Sequence, residues 1–342
     1  MPAKSKIVDI ARAAGVSPAT VDRVLNDRKG VRPPTAERVL HAARRLNYPL
    51  SPRFVSAPPV VHLQFDFLLP AGPNTFMKML GEAIDAAEER LGPCVATARR
   101  HEIEGFNPAA LADSLLRIGA RSNGIAFIAL EHPLVREAVN SLDDRGVPVI
   151  TMVSDLSHAR RLGYVGVDNR AAGRTAGYLL GRFIGRGGGK VAMIAGSLSY
   201  RGHEERELGF RHILREELPR LEIVDLREGL DDPDRNYAAT REILAQHPDL
   251  LGIYNIGAGS RGVARALSDS GRARDVIFIG HELTRYTRQF LIDGVMDAVI
   301  NQNARQEAIN SMRMLANCHA NRDPLANVEP SRIEVFVREN LP

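Results

Sequence analysis

Ten polar or aromatic side chains fall just after short apolar runs in the long C-terminal part of the chain. In order they are Asn74 and Phe76, Ser154 and Asp155, Asp168 and Asn169, then Arg206, Asn255, Glu282 and Gln302. Amides and carboxylates exchange hydrogen bonds with hydroxyls, an arginine forks onto a diol or a carboxylate, and an aromatic face covers the C–H surface of a sugar. The set contains no thiol and suits a polyhydroxylated solute better than an apolar one. A second chemistry is written at Gly257-Ala258-Gly259-Ser260-Arg261-Gly262, which fits G-x-G-x-x-G between a strand and a helix. With Glu282 some twenty residues on, Gly257, Gly259 and Gly262 form a dinucleotide fingerprint with its acidic ribose partner. This gives an alternative reading, an NAD-dependent enzyme or an NADH-sensing regulator.

Other chemistries have no support. Gly185 to Lys190 precedes a strand and lacks the following Ser or Thr of a triphosphate-binding loop. His281-Glu282 is not followed by the second His of a zinc motif, and no Gly-x-Ser-x-Gly elbow occurs. Two cysteines, Cys94 and Cys318, supply neither a disulfide framework nor a thiolate metal site. No catalytic role, metal or cofactor is expected.

The elements that must hold the ten residues repeat an apolar run followed by an amphipathic stretch from residue 60 onward, the pattern of a parallel sheet with covering helices. Strands are expected at 60–69, 94–99, 124–130, 147–153, 164–167, 191–195, 222–226, 251–255, 276–280 and 298–301, with a late strand near 333–337. Helices fill the gaps, for example 75–91 and 172–184. So many units suit two similar lobes. In such sheets ligands bind beyond the carboxyl ends of the strands, where the ten residues lie.

The first 53 residues differ in charge from the rest. The 342-residue chain carries +4 overall, 44% hydrophobic and 25% charged residues, an ordinary globular composition. The first 53 residues hold eleven Lys or Arg against four acids, a net of +7, which leaves −3 on the remainder. A basic head on a mildly acidic body points to a polyanion partner for the head alone. Ile7, Ile10, Ala11 and Ala14 make one helical stripe ending at Gly15. Ser17 and Pro18 open a second helix carrying Val21, Val24 and Leu25; a third, opened by Thr35, carries Ala36, Val39, Leu40 and Ala43. Helix, short turn, helix is the helix-turn-helix arrangement, whose second helix lies in the major groove.

Ile7-Val8-Asp9-Ile10-Ala11, Ala14-Gly15-Val16-Ser17, Ala19-Thr20-Val21, Arg23-Val24-Leu25-Asn26 and Leu46-Asn47-Tyr48 resemble the DNA-binding head of the lactose repressor (LacI/GalR) family. The resemblance implies that Pro18 and Ala19 occupy the operator-selecting positions, where only apolar contact such as Ala19 on a thymine methyl is open to them. It places Arg23 as the guanine-reading arginine and Ser17, Thr20 and Asn26 at positions that touch phosphates or fix the turn. Asp22 replaces the usual serine, and either orients Arg23 or accepts from a cytosine amino group. Residues 49–59 hold four prolines and lack the hinge-helix pattern of many family members, so a stiff tether is expected there.

The body resembles the type I periplasmic sugar-binding fold. Asn74-Thr75-Phe76 is similar to its first ligand loop, Arg206 to its sugar-binding arginine, Asn255 to the asparagine after a second-lobe strand, Glu282 to its usual aspartate and Gln302 to the crossover glutamine. The expected architecture is a small all-α helix-turn-helix head (1–48), a Pro-rich linker (49–59) and an α/β two-lobed effector-binding and dimerisation domain with parallel sheets (60–342). Lobe 1 is expected to comprise about 60–160 plus 283–302, and lobe 2 about 163–282 plus 303–342. The expected function is a DNA-binding regulator, a repressor of palindromic operator DNA, controlled by a small sugar or polyol whose closure changes the spacing of two heads in a homodimer. Lacking a membrane-length apolar run and an N-terminal apolar signal, the chain is expected in the cytoplasm.

Overall fold

A computed structural model describes residues 6–26, 28, 30–51, 61–91 and 94–342, and the backbone alone of 90, 91 and 94. Most of the linker expectation therefore lies outside the described residues. The chain divides into two compact units, Met1–Val60 and Val61–Pro342.

In the first unit, α1 (Ile7–Ala14), α2 (Pro18–Leu25) and α3 (Pro33–Arg45) bury Ile10, Ala11, Ala14, Val21, Val24, Val39, Ala42 and Ala43 in one core. α1 opens where the Lys6 N–H donates to Asp9 Oδ2 at 2.8 Å and closes at Gly15, whose φ of 64° is left-handed. That conformation favours glycine because it has no Cβ. Ser17 Oγ caps α2 by accepting from the Thr20 N–H at 3.2 Å. α3 begins at Pro33 and not at Thr35: Pro33 and Pro34 occupy the first two helical positions, where a missing N–H costs nothing and the ring already sets a helical φ.

The second unit holds two six-stranded sheets. The first is ordered β2 (Glu88–Leu91), β3 (Cys94–Ile103), β1 (Val61–Pro70), β4 (Ile125–Phe127), β5 (Val149–Met152), β6 (Gly163–Val165). All its pairings are parallel except β2 with β3. The helices of this stretch are α4 (Thr75–Asp85), α5 (Pro108–Gly119) and α6 (Pro133–Asp144). The expected helix 75–91 therefore stops at Asp85, and Glu88–Leu91 becomes an antiparallel edge strand. Glu and Leu favour helix intrinsically, so here pairing with β3 overrides propensity.

The second sheet is ordered β12 (Glu334–Phe336), β11 (Ala298–Asn301), β10 (Ile277–His281), β9 (Leu250–Asn255), β7 (Gly189–Ala195), β8 (Leu221–Glu228), with β12 alone antiparallel. Its helices are α7 (Asn169–Ile184), α8 (Arg201–Glu217), α9 (Pro233–Gln246), α10 (Ser260–Asp269) and α11 (Arg285–Asp293). α12 (Ala304–His319) returns to the first lobe, where Ala304, Ala308, Met312, Leu315 and Ala316 join the core built on Phe65, Phe67 and Phe127.

This corrects the lobe assignment. Residues 283–302 contain α11 and β11 and belong to the second lobe, whereas 304–319 belong to the first and β12 returns to the second. α7 and α8 set the position of the site from behind. A Cβ on Gly173 of α7 would lie 1.9 Å from the backbone oxygen of Arg206, so the glycine lets α8 come close enough to aim Arg206 forward.

Candidate functional site

In the head, Ser17, Pro18, Ala19, Arg23 and Asn26 are exposed and Thr20 is half-buried, while Val21 and Val24 turn inward. The residues expected to meet DNA thus share the solvent face of α2 and its N-terminal turn. Asp22 does not hold Arg23. Its carboxylate accepts from Asn26 Nδ2 at 2.8 Å and lies 3.4 Å from Arg28. Asn26 is therefore fastened to α2 one turn back, and among the described residues the Arg23 guanidinium has no hydrogen-bond or ion-pair partner.

In the body, one cavity lies at the carboxyl ends of the strands between the two lobes. Asn74, Phe76, Ser154, Arg206, Glu282 and Gln302 all line it. Asn74 caps α4, its Oδ1 accepting from the N–H groups of Phe76 at 3.0 Å and Met77 at 3.4 Å. Its Nδ2 crosses to the other lobe and donates to Asp231 Oδ2 at 3.0 Å. Ser154 Oγ likewise accepts across the lobes from the Gly202 N–H at 3.1 Å, and Arg201 Nη1 donates to Ser157 Oγ at 2.9 Å.

Arg206 is 4% exposed. It spends Nε on Asn169 Oδ1 at 2.7 Å and Nη1 on the Ile256 carbonyl at 3.0 Å. Among the described residues its Nη2 has no partner, which leaves one donor edge of a fixed fork for a ligand. Glu282 Oε1 accepts from Gln302 Nε2 at 2.8 Å. Burial pushes the Glu282 carboxyl up to about 7, against the opposing pull of Arg206 and the Gln302 bonds. His281 is buried, its Nε2 2.7 Å from the Tyr254 hydroxyl; burial and then the charges of Arg206 and His203 hold its pKa well below the usual range, so it is neutral. The cavity also gathers left-handed backbone. Among the described residues nine non-glycine positions have positive φ, and five of them line it: Phe106, Val153, Leu230, Asp231 and Glu282. Such conformations cost energy and concentrate at ligand sites.

Four of the ten residues, Asp155, Asp168, Asn169 and Asn255, lie outside the cavity lining. Asp155 is bound to Arg161 by a bidentate ion pair and accepts from Thr151 Oγ1 at 2.6 Å, so its carboxylate serves the loop after β5. Asn255 is fully buried and donates to the Gly257 and Ala258 carbonyls and to Ser260 Oγ, which fixes the turn after β9. Asp168 caps α7, and Asn169 serves Arg206 as described.

The dinucleotide reading of Gly257, Gly259 and Gly262 finds no support, and packing accounts for these glycines. A Cβ on Gly257 would lie 2.8 Å from Gly196 N, and one on Gly262 1.9 Å from the Pro233 carbonyl oxygen; Gly259 has a φ of 77°. Asp231, Phe106, Tyr200, His203, Arg261 and Tyr286 line the cavity without having been anticipated. Asp231 had a signal, a carboxylate just beyond a strand, but β8 runs on through Arg227 and Glu228, past the apolar run that marked its end.

Residues 6–50 match the bacterial regulatory proteins of the lacI family, and residues 65–322 match the periplasmic binding protein domain. Among curated relatives, the ribose import binding protein RbsB of Bacillus subtilis (strain 168) is 24% identical over 169 residues, 49% of this chain and 53% of that protein. RbsB of Salmonella typhimurium is 24% identical over 198 residues, 57% of this chain and 66% of that protein. The chain thus spans between half and two thirds of the curated relatives it matches. GanP, a glucose-galactose binding protein from Geobacillus stearothermophilus, superposes with a TM-score of 0.73 at 25% identity over 82% of this chain and 99% of that one. An ABC transporter solute binding protein from Burkholderia graminis C4D1M, in complex with D-arabinose, superposes with a TM-score of 0.75 at 20% identity, over 83% of this chain and 98% of that one, a likeness of fold. The longer match covers three quarters of the chain, so the chain belongs to the periplasmic binding protein domain family and carries a lacI-family helix-turn-helix domain in front of it, at residues 6–50.

Proposed function

We propose that the protein is a transcriptional repressor whose affinity for a near-palindromic operator is set by a small sugar bound between its lobes. One observation carries the sugar reading: Asn74, Phe76, Ser154, Arg206, Glu282 and Gln302, from both lobes, line a single cavity in which Arg206 presents an unused donor edge beside a carboxylate. The names of the relatives, ribose import and glucose-galactose binding, support a pentose or hexose. A single head reads a short half-site weakly, so the working species is a homodimer. Sugar binding shifts operator affinity by its differential affinity for the two lobe arrangements, and the Asn74–Asp231 bond belongs to the closed one.

Thermal-shift titration with pentoses, hexoses, polyols and NADH, paired with operator mobility shifts, tests the proposal. A monosaccharide should raise Tm and release a palindromic duplex. Arg206→Lys keeps a cation but loses the planar fork, and should weaken sugar binding at least about tenfold. A response to NADH with none to any sugar overturns the reading, as does equal binding to random and palindromic DNA at moderate salt.

A further inference from the structure

The mouth of the cavity carries positive charge that pairs with no carboxylate among the described residues. Arg261, in the first turn of α10, and Arg285, the first residue of α11, both sit on the ring of Tyr286, their guanidinium carbons 4.7 and 4.6 Å from its centroid. Arg285 Nη2 also donates to the Tyr286 hydroxyl at 2.7 Å. Arg261 and Tyr286 line the cavity. Both arginines are exposed, and among the described residues neither is paired with a carboxylate. Nearby acids are engaged elsewhere: Asp234 with Arg265 at 3.1 Å, Asp231 with Asn74 and the Ala258 N–H, Glu282 with Gln302.

Two unpaired guanidinium groups on one ring repel each other, and each stands where a helix dipole is already positive. α10 adds donors of its own, since its N-cap, Gly259, has no side chain to cap the first turn, and α10 and α11 both lack an acidic residue there. Opposite them, Lys78 of α4 is exposed and unpaired among the described residues, in the first lobe. Its field reaches the Tyr286 hydroxyl, whose pKa is lowered first by the Arg285 hydrogen bond and further by the charges of Arg285, Arg261 and Lys78. Arg261 and Arg285 therefore meet over one ring at the rim, while the Arg206 fork lies deeper.

We propose that the effector is an anionic sugar, a monosaccharide carrying a phosphate or carboxylate group, whose anion sits at the cavity mouth between Arg261 and Arg285 while its hydroxyls occupy the interior. This inference rests on the sugar reading above. Charge-assisted bonds to phosphate or carboxylate are about twice as strong as neutral ones, and an arginine pair gives them geometry. An anion at the mouth also removes the repulsion between the two guanidinium groups.

Calorimetric titration of the full-length protein with matched ligands tests it: ribose against ribose 5-phosphate, and glucose against glucose 6-phosphate and glucuronate. In at least one series the anionic member should bind at least about tenfold more tightly than its parent, with affinity falling as salt rises. The phosphate and glucuronate arms separate the two sources of charge. In the Arg261→Gln, Arg285→Gln double variant the anionic-to-neutral affinity ratio should fall to about 1–3, with Tm reported alongside to confirm folding. Neutral sugars binding as tightly as their anionic partners, or a ratio unchanged in the double variant, overturns this inference and leaves the sugar reading standing. Failure of every sugar to bind overturns both.

Discussion

Glu307 is a buried acid in the body. It is 1% exposed, on the α12 face that enters the first core, and among the described residues neither carboxylate oxygen has a hydrogen-bond partner; Ser311 Oγ, one turn on, is equally unpartnered there. Burial first, then the neighbouring charge of Glu282, drives its pKa well above the usual carboxylate range, so it is held neutral. Glu282 is raised in the same sense, to about 7. Both groups therefore keep protons in the folded chain that the unfolded chain releases from about pH 4.5 upward. Stability then falls as pH rises through that window to 7 and, for Glu307, beyond. Glu307→Gln, which keeps shape and removes the charge, should gain roughly 1–3 kcal/mol at pH 8 and almost nothing at pH 5. Equal melting temperatures for variant and wild type at pH 8 would sink this. Asp66 has the opposite sign: burial raises its pKa, but hydrogen bonds from Arg99, Ser122 and His101 outweigh burial and lower it, so its stabilisation is lost below about pH 4.

At the scale of elements, the segment from β9 into α10 separates a packing role from a nucleotide-binding one. Gly262 faces the Pro233 carbonyl and the Tyr237 N–H, the latter 2.7 Å from where a Cβ would stand; both are backbone and cannot swing aside. Gly262→Ala should cost roughly 2–3 kcal/mol, at the high end for overpacking, whereas Gly187→Ala, with nothing within 4 Å, should be neutral or slightly stabilising. Chemical denaturation of the two variants checks this, and a Gly262→Ala protein of wild-type stability would reopen the fingerprint's other meaning. The same segment marks the limit of what could be read beforehand. Apolar runs of four to six residues located strands such as Val149–Met152 and Leu250–Asn255, because a strand buried on both faces needs such a run. They carried no information on which sheet each strand joins, so β11 and α12 were exchanged between lobes. Nor did a polar residue after a strand reveal where its side chain points: Arg206 faces the cavity, while Asn255 turns back onto its own loop and Asp155 onto Arg161. That choice depends on three-dimensional neighbours, Asn169 and Gly173 for Arg206, which lie more than thirty residues away in the chain.

For the whole molecule the question is what a change at the cavity does to the closure of the lobes. Asn74 is a suitable place to intervene, because its two ends do separate things: Oδ1 caps α4 in one lobe while Nδ2 reaches Asp231 in the other. Asn74→Asp keeps an acceptor for the helix N-terminus, where a negative charge is favourable, but sets a carboxylate against Asp231 in place of a donor. Helix and fold should survive while closure is penalised. Small-angle scattering should give a larger radius of gyration than wild type, and sugar affinity should drop about tenfold, the ordinary size of one lost charge-assisted bond. If the operator responds to closure and not to sugar occupancy alone, release of the palindromic duplex by sugar should need a concentration raised by at least the same factor. Wild-type release at wild-type sugar concentration, in a variant shown by scattering to be more open, would mean that lobe closure is not what couples the cavity to DNA.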